Sequence, residues 1–184
     1  IDVPSGINAD NGMICGTCIK AAKTVTFALP KTGIVIGEGA LAAGEVVVAD
    51  IGIPKCLLED ESIKTNLVTE DMVLPLFPAR RRNSHKGDYG KAFIIAGSSG
   101  MTGAAALAGS SAVRIGTGLV TVGVPASLNG ILEVKLTEAM TLPLEDRGKG
   151  YISIESMPLI IDKIAAADAV AIGPGLSVNG EIMD

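Results

Sequence analysis

Apolar residues along this chain fall in short, strand-sized runs broken by glycine, proline and polar turns. Thr24 to Pro30, TVTFALP, is β-branched and aromatic and predicts a strand that Pro30 ends. Glu45 to Pro54, EVVVADIGIP, predicts a second. The intervening KTGIVIGEGALAAG is glycine-interrupted and fits neither a regular helix nor a regular strand. The pattern then turns polar and charged in VTEDMVLPLFPARRRNSHKGDYG, where TEDMVLPLF reads as a short helix with Thr69 at its N-cap. Beyond it Lys91 to Gly97, KAFIIAG, is a strand again. AAALAGSSAVRIG has helical length and no proline, and Gly118 to Pro125, GLVTVGVP, predicts the next strand. PLIIDKIAAA reads as a helix, and DAVAIGPG as a buried strand ending in a glycine loop.

Near-continuous apolar strands alternating with helices predict an α/β fold, with parallel-sheet layers and flanking helices covering both faces. The shift in composition places a boundary within residues 78–88, dividing residues 1–77 from residues 89–184. Both ends of the chain read as cut through folded domains, so the expectation is an internal piece of a longer protein.

Composition narrows the function. Hydrophobic residues make up 48% of the 184 positions but aromatics only 3%, so the core is aliphatic. A net charge of −5 with few aromatics argues against nucleic-acid binding. No apolar run approaches the roughly 18 residues of a membrane span. Three cysteines, an odd number in a chain of this size, suit a reducing cytoplasm.

Two glycine loops carry the candidate chemistry. AGSSGMTGAA follows one predicted strand and GPGLS another. In a parallel sheet both would lie at the carboxyl edge, where ligands bind. A helix start there offers unpaired N–H groups and partial positive charge to a phosphate. Gly100 and Gly103 would admit a ligand close to the backbone, and Thr102 with Ser98 or Ser99 could cap the helix. The spacing matches neither the dinucleotide fingerprint nor a P-loop. Either loop alone reads equally well as a plain strand-to-helix turn; two on one edge favour a site.

The remaining candidates have plainer readings. Cys15 and Cys18 form a C-x-x-C, but with only Cys56 and His85 to complete a zinc site, free thiols are expected. Arg80 to Arg82 read as a solvated linker, and His85, ahead of the first strand of its domain, as structural. Asp2 sits before Val-Pro-Ser-Gly, where a carboxylate suits either chemistry or capping of the next turn.

These segments together resemble a known family. IDVPSGINADNG, TVTFALPKTG and VVVADIGIP are similar to the second half of the NAD(P)H-hydrate epimerase domain. HKGDYGKAFIIAGSSGMTGAAALAGSSAVRIGTGLVTVGVP and AVAIGPGL are similar to the first half of the ADP/ATP-dependent NAD(P)H-hydrate dehydratase, a ribokinase-like fold. The bifunctional NAD(P)H-hydrate repair family fuses the two in this order, and the resemblance covers nearly the whole chain. It implies a partial Rossmann-like epimerase domain followed by a partial ribokinase-like dehydratase domain.

The resemblance also implies an activity. Epimerisation interconverts the R and S hydrates of NADH and NADPH. Dehydration of the S form uses ADP or ATP, the hydroxyl being phosphorylated and then lost as phosphate. Mg2+ and K+ are the implied metals, nucleotide small molecules the partners, and a homo-oligomer a further expectation. Residue by residue, Asp2 is carried over as a hydrate contact, Ser5 as a potassium ligand, and Gly103, Ala104 and Gly175 as hydrate-binding positions. The family's asparagine- and glycine-rich nucleotide loop has no counterpart here. Its later histidine motif and its G-x-G-D aspartate would lie beyond Asp184. No catalytic residue is therefore assigned to this chain, which is expected to be inactive by itself. A ribokinase-like small-molecule kinase and a non-catalytic nucleotide-binding module are the alternatives.

Overall fold

The computed structural model of the protein describes residues 1–77 and 79–178; Pro78, the first residue of the expected linker, and the residues after Val178 lie outside them. The chain divides after Pro78 into two compact units.

In the first unit β1 (Lys23–Phe27) and β2 (Glu45–Ala49) pair in parallel, from Lys23 opposite Glu45 to Phe27 opposite Ala49. A 3-10 turn at Thr32–Ile34 and α1 (Gly37–Ala43) connect them. The stretch that fitted no regular element thus contains a helix. It buries Gly39, Ala42 and Ala43 and leaves Leu41 exposed, so it packs through small residues and shows no stripe of large apolar ones. β1 ends at Phe27, three residues before the expected proline, because Ala28 turns the backbone to φ +62°. Its buried face is the threonine face. Thr24 donates to the Ala43 carbonyl at 2.7 Å and Thr26 to Asp2 at 3.0 Å, which meets the cost of burying a hydroxyl. Two short helices follow, α2 (Lys55–Leu58) and α3 (Glu70–Val73). Thr69 occupies the N-cap of α3 as expected, but its side chain makes no capping bond.

The second unit is a four-stranded parallel sheet. In chain order its elements are β3 (Lys91–Ile95), α4 (Thr102–Ile115), β4 (Leu119–Pro125), α5 (Asn129–Lys135), β5 (Met140–Leu144), α6 (Met157–Ala165) and β6 (Ala169–Ile172). The strands lie in the order β5-β4-β3-β6. Residues alternate between two cores. Ile94, Val120, Val122 and Val124 join Ala105, Leu132 and Leu136 on one face. Phe93, Ile95 and Leu144 join Ile152 and Ile160 on the other. The small residues of α4 now have a reason: a methyl group on Gly109 would fall 2.9 Å from Val122 and 3.1 Å from Leu136. α5 and β5 had no clear apolar signature. β5 holds Pro143, tolerated because the strand is at the sheet's edge. β6, expected to be buried, is exposed along its length among the described residues, because it too is an edge strand. No helix of the described residues is long and apolar enough to cross a membrane.

Candidate functional site

The strand order of the second unit locates a crevice. From β3 the chain moves outward through β4 to β5, then returns to place β6 on β3's other side. The order therefore reverses between β3 and β6, and in open α/β sheets ligands bind outside the carboxyl ends of the strands at such a point. The loops leaving these two strands are the two glycine loops, and they touch. The Gly97 N–H donates to the Pro174 carbonyl at 2.9 Å, and the Ser98 hydroxyl to the Gly175 carbonyl at 2.8 Å. Gly175 has φ +72°, and a Cβ there would lie 2.7 Å from the Ala104 methyl. Two positions singled out in the sequence, Ala104 and Gly175, are thus in contact.

α4 starts directly after the first of these loops. Thr102 is its first residue and Met101 its N-cap, without a side-chain capping bond. The expected caps are otherwise placed: Ser98 is spent on Gly175, and Thr102 accepts from the Lys135 ammonium at 3.3 Å. The first-turn N–H groups are consequently not capped by a side chain. Space beside Gly103 is open, with nothing within 4 Å of a Cβ built there. Lys135, absent from the sequence-derived candidates, adds positive charge near the positive end of the α4 dipole. Past β5, Asp146 is buried among hydrogen-bond donors, and the Gly150 carbonyl accepts from the Ser99 N–H at 2.7 Å. Burial opposes ionisation of Asp146, but bonds from the Ser127 hydroxyl and the Gly148 and Gly150 N–H groups outweigh it and lower its pKa.

In the first unit Asp2 lies at the carboxyl end of β1. Its N–H donates to the Val25 carbonyl at 2.7 Å, and its carboxylate accepts from the Phe27 N–H at 3.3 Å. Lys31 sits 2.7 Å from that carboxylate and also donates to Thr26 at 3.1 Å and to the Phe27 carbonyl at 2.8 Å. The Lys31 bond is the main reason the Asp2 pKa is lowered. Desolvation opposes it, and the Phe27 and Thr26 bonds support it. Lys31 borders a largely apolar hollow with Phe27, Pro30, Ile51 and Leu57. Ser5 is exposed on the next turn. The backbone there is strapped by Cys15 N–H to the Gly6 carbonyl at 2.8 Å and Ile19 N–H to the Ser5 carbonyl at 2.9 Å.

Cys15, Cys18 and Cys56 are free thiols. Among the described residues no three His, Cys, Asp or Glu side chains converge as a metal site. His85 is structural: it caps the 3-10 turn Lys86–Tyr89, accepting from the Gly87 N–H while Asp88 accepts from its own. Arg80 is not simply solvated. Its guanidinium lies 4.2 Å from the Tyr89 ring centroid and donates to the Gly116 carbonyl.

Known proteins share both regions. A family model described as NAD(P)H-hydrate dehydratase matches residues 92–183, and one described as YjeF-related protein N-terminus matches residues 1–33. The bifunctional NAD(P)H-hydrate repair enzyme Nnr of Moorella thermoacetica is 42% identical over 184 residues, covering 100% of this chain and 35% of the relative. That of Thermofilum pendens is 38% identical over 183 residues, covering 100% and 34%. The chain spans about a third of the length of these relatives. A ribokinase-like superfamily protein from Enterococcus faecalis V583 superposes with a TM-score of 0.50 at 24% identity, over 64% of this chain and 40% of its own, a likeness of fold alone. A protein from Streptococcus mutans gives a TM-score of 0.50 at 30% identity, over 62% and 38%. The dehydratase match runs through half of the chain and both crevice loops, and the chain belongs to the NAD(P)H-hydrate dehydratase family.

Proposed function

We propose that the protein containing this chain repairs hydrated nicotinamide cofactors, epimerising the R and S hydrates of NADH and NADPH and dehydrating the S form at the expense of ADP or ATP. The contact between Ala104 and Gly175 at the mouth of the α4 helix carries the reading. It joins two loops remote in sequence into one bare, positively polarised crevice suited to a phosphate-bearing ligand. Gly103, Ala104 and Gly175 are its hydrate-binding positions. Phosphorylation of the hydrate's hydroxyl turns a poor leaving group into phosphate, which accounts for dehydration on a kinase-like fold.

In this reading residues 1–77 belong to the epimerase part, residues 78–88 link, and residues 89–184 belong to the dehydratase part. Asp2 contacts the hydrate in the first part, where the Lys31 ammonium 2.7 Å away keeps its carboxylate ionised, the form in which it can accept a proton from the substrate. The exposed Ser5 hydroxyl suits one potassium ligand, a single neutral oxygen. For Mg2+ the described residues offer no carboxylate cluster. Its usual partners at nucleotides are the phosphates themselves, with one or two carboxylates. A cytoplasmic location and self-association complete the proposal. A ribokinase-like kinase of another small molecule would not explain the match over residues 1–33.

The test supplies the full-length protein with R or S hydrate, with and without nucleotide, and follows NADPH absorbance. Asp2→Asn is expected to slow conversion of R by at least about 10²-fold while sparing dehydration of pure S hydrate. No nucleotide-dependent recovery of NADPH by the wild type, or equal loss of both activities in Asp2→Asn, would overturn the reading.

A further inference from the structure

We infer that Asp146 is a positioning residue of the dehydratase crevice, fixing Gly150 and through it the backbone of Ser99. The inference rests on the function proposed above. Asp146 is only 3% exposed. One carboxylate oxygen accepts from the Gly148 N–H at 3.1 Å; the other accepts from the Gly150 N–H at 3.0 Å and from the Ser127 hydroxyl. Gly150, held from its N–H side, uses its carbonyl to accept the Ser99 N–H at 2.7 Å. The relay runs from the end of β5 to the loop leaving β3, one residue from Ser98, whose hydroxyl holds Gly175.

The surroundings are built to keep this relay in place. Lys149 N–H donates to the Asp146 carbonyl at 2.8 Å, and the base of the loop is closed by Ser153, which donates to the Glu145 carbonyl through its N–H at 2.8 Å and its hydroxyl at 2.9 Å. Gly150 has φ +75°, and a Cβ on it would fall 2.8 Å from the Ser99 Cβ. Only glycine lets these backbones meet at hydrogen-bond distance. A buried carboxylate is costly unless its acceptor sites are filled, and here three donors fill them. An amide of the same shape could not accept from all three.

The full-length protein is assayed with S hydrate and with nucleotide, each varied separately. Asp146→Asn and Gly150→Ala are both expected to raise KM for the hydrate about tenfold, the worth of one charge-assisted hydrogen bond. The kcat and the KM for nucleotide should stay within about twofold, as for lost uniform binding of one ligand. Asp146→Glu should recover part of the loss. A fall in melting temperature with an unchanged hydrate KM, or equal rises in both KM values, would overturn the inference. If Asp146→Asn does not fold, Gly150→Ala tests the same relay with the carboxylate intact. Amide hydrogen exchange at Ser99 in the wild type, expected to be slow, tests it without any substitution; rapid exchange overturns it. Absence of hydrate turnover in the wild type would count against the proposed function, while Ser99 protection would still decide the relay.

Discussion

Asp2 holds its carboxylate on a backbone with φ +64°, a region that costs a residue with a side chain about 1–2 kcal/mol. Such an outlier persists where surrounding bonds over-determine it, and here the Val25 carbonyl, the Phe27 N–H, Thr26 and Lys31 do so. Lys31 is the main cause of the lowered Asp2 pKa, so Lys31→Met should let it rise toward the ordinary 3.8. The sign follows from the direction of the shift. A depressed carboxyl pKa contributes stability above its unfolded value and loses it as pH falls through the folded value. The advantage of wild type over Lys31→Met should therefore fade in strong acid. A carboxyl-carbon NMR titration of Asp2 reads this directly, and an unchanged midpoint would refute the role given to Lys31. Asp2 is legible in the sequence alone, from its place ahead of Val-Pro-Ser-Gly. Lys31 and Asp146 are not: Lys31 acquires its role through Asp2, and Asp146 through Ser127 and, by way of Gly150, Ser99, contacts that no local pattern announces.

Elements were legible in proportion to their apolar signal. β3, β4 and α4 stood out because both sheet faces are covered in the middle of the sheet. α1 did not, because it buries alanine and glycine. β1 was found from its β-branched run, but nothing in that run showed that its inner face is Thr24 and Thr26, buried through satisfied hydroxyls. The same logic makes α4 testable. Gly109 lies against Val122 and Leu136 with no room for a methyl group. Gly109→Leu gains up to about 1 kcal/mol of helix propensity but overpacks the core, typically at 1–3 kcal/mol and more for so large a group. A net loss is expected. Leu107, 71% exposed on the same helix, is the control: Leu107→Ala should stay within about 0.5 kcal/mol. Thermal unfolding of the two variants decides, and a melting temperature for Gly109→Leu at or above wild type would show that α4 does not press on the sheet as described.

At the scale of the whole molecule, the two parallel sheets belong to separate units with a division after Pro78. The sequence announced a boundary through its charged, proline-bearing stretch. It did not announce that the part of this stretch after Pro78 is bound into the second unit. Arg80 stacks on Tyr89 and reaches the Gly116 carbonyl, the Ser84 hydroxyl donates to the Arg81 carbonyl at 2.7 Å, and His85 and Asp88 cap the turn before β3. Those bonds are side-chain contacts around exposed backbone, with little buried apolar area to protect it, and such segments open most readily. Arg81 and Arg82 are exposed and not engaged like Arg80. Limited trypsin digestion of the full-length protein should therefore cut first after Arg81 or Arg82, and both sides of the cut should resist further digestion. Arg114 is also exposed, but it lies in the last turn of α4, where cleavage requires the helix to unwind from the sheet. Mass spectrometry of early fragments distinguishes the two. First cleavage after Arg114 would mean that the second unit opens more easily than the segment leading into it, and the division after Pro78 would lose its standing as a domain boundary.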